Sequence, residues 1–139
     1  MFRVLAYSGT ENLGDAIQAV ALSRLLGSPL FGVYRDCPYS KYHEHLPLII
    51  NGWLGRYVPT HSPKAVFAGV HIGGLESLHI EWMRRVGGVV GCRDPFTKGL
   101  LTGNNVPAKL IGCATLTFPQ YTGPRTGRYS IDIHLPEAQ

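Results

Sequence analysis

The stretch Phe2–Leu26, FRVLAYSGTENLGDAIQAVALSRLL, decides the fold class. Val4-Leu5-Ala6, flanked by Phe2 and Tyr7, is a short apolar run ending in Ser8-Gly9, which predicts a buried strand and then a turn. A polar loop runs from Gly9 to Gly14, and a helix is predicted over Asp15–Leu26. Ile17, Val20, Ala21 and Leu25 recur at i, i+3, i+4 and i+8, a stripe expected to face a sheet. Asp15 sits in the first turn, where negative charge suits the helix dipole, and Gly27 with Pro29 stops the helix. Strand, glycine-containing loop and helix make the opening half of a βαβ unit.

The rest of the chain repeats that alternation. Leu30–Tyr34 reads as a second strand, and the polar, aromatic stretch Arg35–His45 as a loop. Leu46–Ile50 is a third apolar run closed by Asn51-Gly52, and Ala65–Ile72 a fourth closed by Gly73-Gly74. A helix over Leu75–Val86 places Leu75, Leu78, Trp82 and Val86 on one face before Gly87-Gly88 ends it. Val89–Cys92 is a fifth strand, and Asp94-Pro95 joins an N-cap to proline at the first helical position. That short helix ends near Gly103-Asn104, and Leu110–Cys113 is a sixth strand.

Pro119, Gly123, Pro124 and Gly127 make Thr115–Tyr129 read as a linker, and Ile131-Asp132-Ile133 as the start of another strand. The expectation is one α/β domain over residues 1–118 with a mostly parallel sheet, then a linker and the start of a second domain over 119–139. Ligands bind beyond the carboxyl ends of such strands, so the loops that matter begin at Gly9, Asn51, His71, Arg93 and Ala114.

Composition narrows the function. The chain has 139 residues and is 45% apolar, which excludes a disordered or fibrous protein and fits one domain. Only 16% of residues are charged, so part of the surface is expected to be covered by something else. The net charge of +4 is spread without a Lys/Arg-rich block, which argues against nucleic acid. Arginine supplies most of the cations, and its planar fork suits carboxylate and phosphate. Small anionic ligands are therefore favoured. Cys37, Cys92 and Cys113 form neither a disulfide framework nor a zinc site, and suit a reducing, cytoplasmic setting. No apolar run approaches the ~20 residues that span a bilayer, so no integral membrane contact is expected.

Several residues are candidates for chemistry. Glu11–Asp15 opens the first helix, a natural anion site, and Asn12 and Asp15 alternatively bond sugar hydroxyls. A capped turn with no ligand is the competing reading. Arg93 suits a carboxylate or phosphate, or else pairs with Asp94, which also suits capping the next helix. His71 at the end of the fourth strand is a candidate general acid or base, or simply a hydrogen-bonded strand terminus. Trp53, Arg56 and Tyr57 offer flat faces for a sugar, or for packing. His43-Glu44-His45 resembles a metal pair without a third ligand, and no metal is assigned.

Five segments in order resemble the polysaccharide pyruvyl transferase family. They are Glu11-Asn12-Leu13-Gly14-Asp15-Ala16-Ile17-Gln18, Asn51-Gly52-Trp53, Gly91-Cys92-Arg93-Asp94-Pro95-Phe96-Thr97, Ile111-Gly112-Cys113-Ala114-Thr115-Leu116-Thr117 and Gly123-Pro124-Arg125. The resemblance implies an enzyme that moves a pyruvyl unit from phosphoenolpyruvate, with no cofactor, to a sugar hydroxyl of a surface polysaccharide or glycan precursor. It also implies the N-terminal, Rossmann-like half of a two-domain fold like that of the GT-B glycosyltransferases. Asn12, Gly14 and Asp15 would line the cleft, and Arg93 would contact the donor. The candidate catalytic set is His71, Arg93 and Asp15. The candidate substrate-binding set is Asn12, Gly14, Gln18, Asn51, Trp53, Asp94, Thr97 and Thr115. The family's second half supplies much of the donor site, so the resemblance implies a fragment, a split enzyme that needs a second copy or a separate chain, or a small stand-alone relative. The alternatives are a sugar- or anion-binding module without turnover, and a domain that makes only protein contacts.

Overall fold

Short apolar runs separated by glycine and polar loops can bury both faces only as a central sheet flanked by helices. The chain does this in a computed structural model that describes residues 2–6, 13–27, 30–34, 45–55, 64–73, 76–120 and 122–124. The elements are β1 (Phe2–Ala6), α1 (Leu13–Leu26), β2 (Leu30–Tyr34), β3 (Leu48–Trp53), β4 (Ala65–His71), α2 (Glu76–Val86), β5 (Val90–Cys92), α3 (Pro95–Gly103) and β6 (Ala108–Leu110). A 3₁₀ turn follows at Ala114–Thr117. All strand pairs are parallel, in the order β2-β1-β3-β4-β5-β6. This is the Rossmann-like α/β sheet expected, and its winding reverses between β1 and β3. Among the described residues no helix is long and apolar enough to cross a membrane.

Two cores form, one on each face. Leu5, Ile50, Phe67, Val70, Val90 and Cys92 join Ile80, Trp82 and Met83 of α2 and Leu101 of α3 in the larger one. Val4 and Ile49 meet Leu22 of α1 on the other, with Ala68 and Ala114 packed beside them. Arg24 of α1 lies over the Phe118 ring at 5.6 Å, tying the 3₁₀ turn to the helix.

The helix faces differ from the expected stripes. In α1, Gln18, Ala21 and Leu22 are buried while Ile17, Val20 and Leu25 are exposed. Apolar residues surround this helix, so periodicity does not select a face, and the slim Ala21 lets the helix approach the sheet. In α2 the buried residues are His79, Ile80, Trp82 and Met83, with Leu78 exposed, so the stripe is rotated from the expected one. Leu75 lies outside the described residues, as do the expected strand at Ile131–Ile133 and the chain beyond Pro124.

Two strand ends also differ. β3 runs through Asn51-Gly52 to Trp53, with Gly52 at φ 77°. β6 ends at Leu110, because Gly112 at φ 81° turns the chain out of the sheet. The amides of Ile111 and Gly112 both donate to the Cys92 carbonyl, at 2.9 and 3.3 Å, and the segment then crosses the sheet face towards α1.

That crossing rests on a bulge in β4. Ile50 pairs with Phe67 but Gly52 with Val70, and Ala68 pairs with Gly91 but Val70 with Cys92. The β4 strand therefore carries one extra residue against both neighbours, at Gly69. Gly69 has φ 82°, and a Cβ there would lie 2.7 Å from the Gly112 carbonyl oxygen. Only glycine fits both demands. Gly69→Ala is expected to lose about 2–5 kcal/mol of stability from left-handed strain plus backbone overlap, measured by urea unfolding. A loss below about 1 kcal/mol would show that the crossing segment yields.

Candidate active site

The carboxyl ends of β3, β4 and β5 place Trp53, His71 and Arg93-Asp94 at one edge of the sheet. The bulge sets which way these side chains leave. Phe67 and Val70 both belong to the larger core, although strict alternation would put residues three apart on opposite faces. With Gly69 inserted, Val70 and Ile72 point into that core and His71 is turned out of it. Trp53 and His71 are register partners, so their side chains leave the sheet on the same side.

Asp94 is built by local sequence. It adopts an extended conformation before Pro95, and its Oδ1 accepts the Thr97 amide at 2.8 Å as the N-cap of α3. Its second oxygen does separate work. Oδ2 lies 2.7 Å from His71 Nδ1 and accepts the Thr97 hydroxyl at 3.1 Å. Thr97 is fully buried, and its Oγ1 accepts the Ile72 amide at 3.2 Å.

These bonds fix the histidine tautomer by proton count. The one hydroxyl proton of Thr97 goes to Asp94, and its oxygen is occupied by the Ile72 amide. His71 Nδ1, 3.4 Å from that oxygen but 2.7 Å from the carboxylate, therefore donates its proton to Asp94. That leaves Nε2 as the ring nitrogen able to exchange a proton. His71 and Asp94 keep 30% and 26% of their side-chain surface, enough for a ligand to reach the ring. An oriented histidine with one nitrogen anchored on a carboxylate is the arrangement general acid–base chemistry needs.

The charges support the same assignment. Burial pushes the Asp94 carboxyl up, but the Thr97 amide, His71 and the Thr97 hydroxyl outweigh it and hold the group below its ordinary value. Beneath it, the Cys92 thiol is pushed up to about 11 by burial and by the Asp94 charge, against the pull of Lys98. It stays protonated, faces the Val90 carbonyl at 3.7 Å, and is no nucleophile. The Arg93 amide donates to the Val70 carbonyl at 2.9 Å, fixing the backbone of a half-buried arginine. No ion pair engages its guanidinium among the described residues, so the expected alternative of an Arg93–Asp94 pair is not seen there.

The other candidates fall elsewhere. Asn51 is buried two residues from Ile49, on the α1 side of β3. Gln18 is buried on α1, with Nε2 donating to the Gly14 carbonyl at 3.2 Å. Gln18 lies on α1, and Asn51 stands in β3 two residues before Trp53. Thr115 is half-buried, its hydroxyl 3.1 Å from Cys113 Sγ. Asn12, His43, Glu44, Arg56 and Tyr57 lie outside the described residues, and for Asp15 only the helical backbone is described. Thr97 was expected to touch a substrate. Its complete burial instead makes it a holder of Asp94. The sequence signal for the bulge was a lone glycine inside an apolar strand, Ala68-Gly69-Val70.

No family model, no curated protein and no solved structure matches the chain.

Thr97→Val keeps the shape but removes the acceptor of the Ile72 amide and one donor to Asp94, so a loss of about 1–3 kcal/mol is expected in chemical unfolding. For Asp94, a lowered folded value means that its contribution is complete above its unfolded value near ~3.9 and fades as pH falls through the folded one. The stability gap between the parent chain and Asp94→Asn should therefore narrow below about pH 4, as followed by urea midpoints across pH. A gap that is constant down to strong acid would remove the carboxylate from the account.

Proposed function

We propose that this chain carries the acid–base half of a transfer site, moving a pyruvyl unit from phosphoenolpyruvate to a sugar hydroxyl. The observation that supports it most is the 2.7 Å bond from His71 Nδ1 to Asp94 at the carboxyl edge of the sheet. In this reading His71, protonated on both nitrogens, gives its Nε2 proton to the methylene carbon of the enol phosphate. The carbon bearing the phosphate becomes oxocarbenium-like, and a sugar hydroxyl adds to it. Nε2 takes up the hydroxyl proton, phosphate leaves with its bonding pair, and a second hydroxyl closes a ketal, giving its proton to the departing phosphate. Asp94 holds the imidazolium in place throughout.

Arg93 is the contact for the donor's carboxylate or phosphate, since guanidinium binds either with two parallel bonds. Its backbone anchor on β4 keeps it at the same edge as His71. The low charge content and the exposed apolar residues of α1 fit a site completed by surface beyond the described residues.

Calorimetric titration with phosphoenolpyruvate separates the two roles. Arg93→Ala should weaken binding by about 10–100-fold. His71→Gln should leave binding intact and lower phosphate release in the presence of acceptor sugars by about 10²–10⁴-fold. Binding that is unchanged in Arg93→Ala would end the donor assignment. Donor binding with no phosphate release under any assembly state would leave a binding module.

A further inference from the structure

Trp53 has a built setting that the acid–base chemistry does not use. The larger core holds Trp82, which meets Phe67 edge-on with ring centroids 5.0 Å apart. Trp53 instead ends β3 and is 44% exposed. What lies behind it is backbone. A Cβ on Gly55 would be 3.4 Å from Cη2 of the indole and 3.5 Å from both Cζ2 and Cζ3. Near-equal distances to three adjacent ring atoms put that point over the face of the ring, not beyond its rim. Gly55 has φ 56° and is buried, so the chain turns tightly under the indole and presents a flat floor to it.

The N–H edge of the ring is set just as closely. A Cβ on Gly73 would lie 2.9 Å from Trp53 Nε1 and 3.4 Å from His71 Nε2. The indole nitrogen and the reactive nitrogen of His71 therefore flank one small space, no farther apart than the sum of those two distances. One ring face rests against Gly55, and 44% of the residue's surface remains exposed.

We infer that Trp53 is the specificity platform for the acceptor, stacking the C–H face of a pyranose ring so that a ring hydroxyl reaches His71 Nε2. This rests on the transferase reading for the role of His71. The axial C–H bonds of a pyranose are polarised by their neighbouring oxygens and meet the electron-rich face of an indole favourably. A flat apolar face beside a proton-exchanging nitrogen suits a ligand that is apolar on one side and hydroxylated at its edge. Phosphoenolpyruvate has no such face, so the platform serves the acceptor and Arg93 the donor. Gly73 is part of the device: a side chain there would push the ring away, since its Cβ would lie 2.9 Å from Nε1.

The test uses the fluorescence of the whole chain, in which Trp53 is exposed and Trp82 buried. Methyl pyranosides of glucose, galactose and mannose are the probes, with acrylamide as quencher. At least one should shift the Trp53 emission saturably and protect it from acrylamide. Trp53→Ala should weaken that sugar by about tenfold in calorimetry, while phosphoenolpyruvate affinity is unchanged. Trp53→Phe keeps an aromatic ring and should recover part of the binding. Gly73→Ala should displace the indole and weaken the sugar as well, with the Trp82 emission reporting an intact fold.

Pyranosides that leave Trp53 unprotected, while phosphoenolpyruvate still binds through Arg93, would overturn the platform and leave the transferase reading standing. Saturable sugar binding that is equal in the parent chain and Trp53→Ala would overturn it too. Trp53-dependent sugar binding by a chain that ignores phosphoenolpyruvate would uphold the platform and sink the transferase reading.

Discussion

The contact between Gly69 and the Gly112 carbonyl is the constraint on which the arrangement depends. A carbonyl can lie this close to a strand only where the strand residue carries no Cβ, and Gly69 at φ 82° meets that demand. The contact lets the chain leave β6, cross the sheet face and place Ala114 against the smaller core beside α1. It also fixes the position of the extra residue in β4. That residue inverts the facing of the last turn of the strand, keeping Val70 and Ile72 in the larger core and turning His71 out. The packing of the far edge and the direction of His71 are thus set by one interaction.

Much of the fold was legible because strand and helix boundaries coincide with residues whose chemistry forces them. Asp94-Pro95 starts a helix wherever it stands, and Gly87 ends one. The alternation of the elements then requires a parallel sheet. Facing was less legible. In α1 the apolar residues run round the whole helix, and the choice of Gln18, Ala21 and Leu22 for the interior depends on how closely β1 and β3 approach, which no local pattern records. The Asn51-Gly52 pair reads as a turn but sits inside β3, where the neighbouring bulge shifts the register.

The candidate site divides in the same way. His71, Arg93 and Asp94 were placed at one edge by topology alone, since each follows a strand. Their roles needed distances. Asp94 looks from sequence like a helix cap, and it is one, but a carboxylate has two oxygens and the cap uses only the first. The second is committed to His71 across 23 residues of sequence, a pairing that depends on β4 and β5 being neighbours in the sheet. Thr97 reads from sequence as a substrate contact, yet it is buried and its hydroxyl helps decide which way the protons in the cluster run.

The order of supports around His71 explains why the cluster sits where it does. Capping the helix immobilises Asp94 with bonds that folding requires in any case, so orienting the histidine costs little further ordering. The Ile72 amide closes the circuit by tying α3 back to the end of β4, which stops the two elements from sliding apart. Burial keeps the Cys92 thiol neutral beneath them, so no second anion stands beside Asp94. With one nitrogen held, the other faces the gap bordered by Trp53 and Gly73. The rigid core, the helix cap and the bulge converge on one imidazole nitrogen at the edge of the sheet.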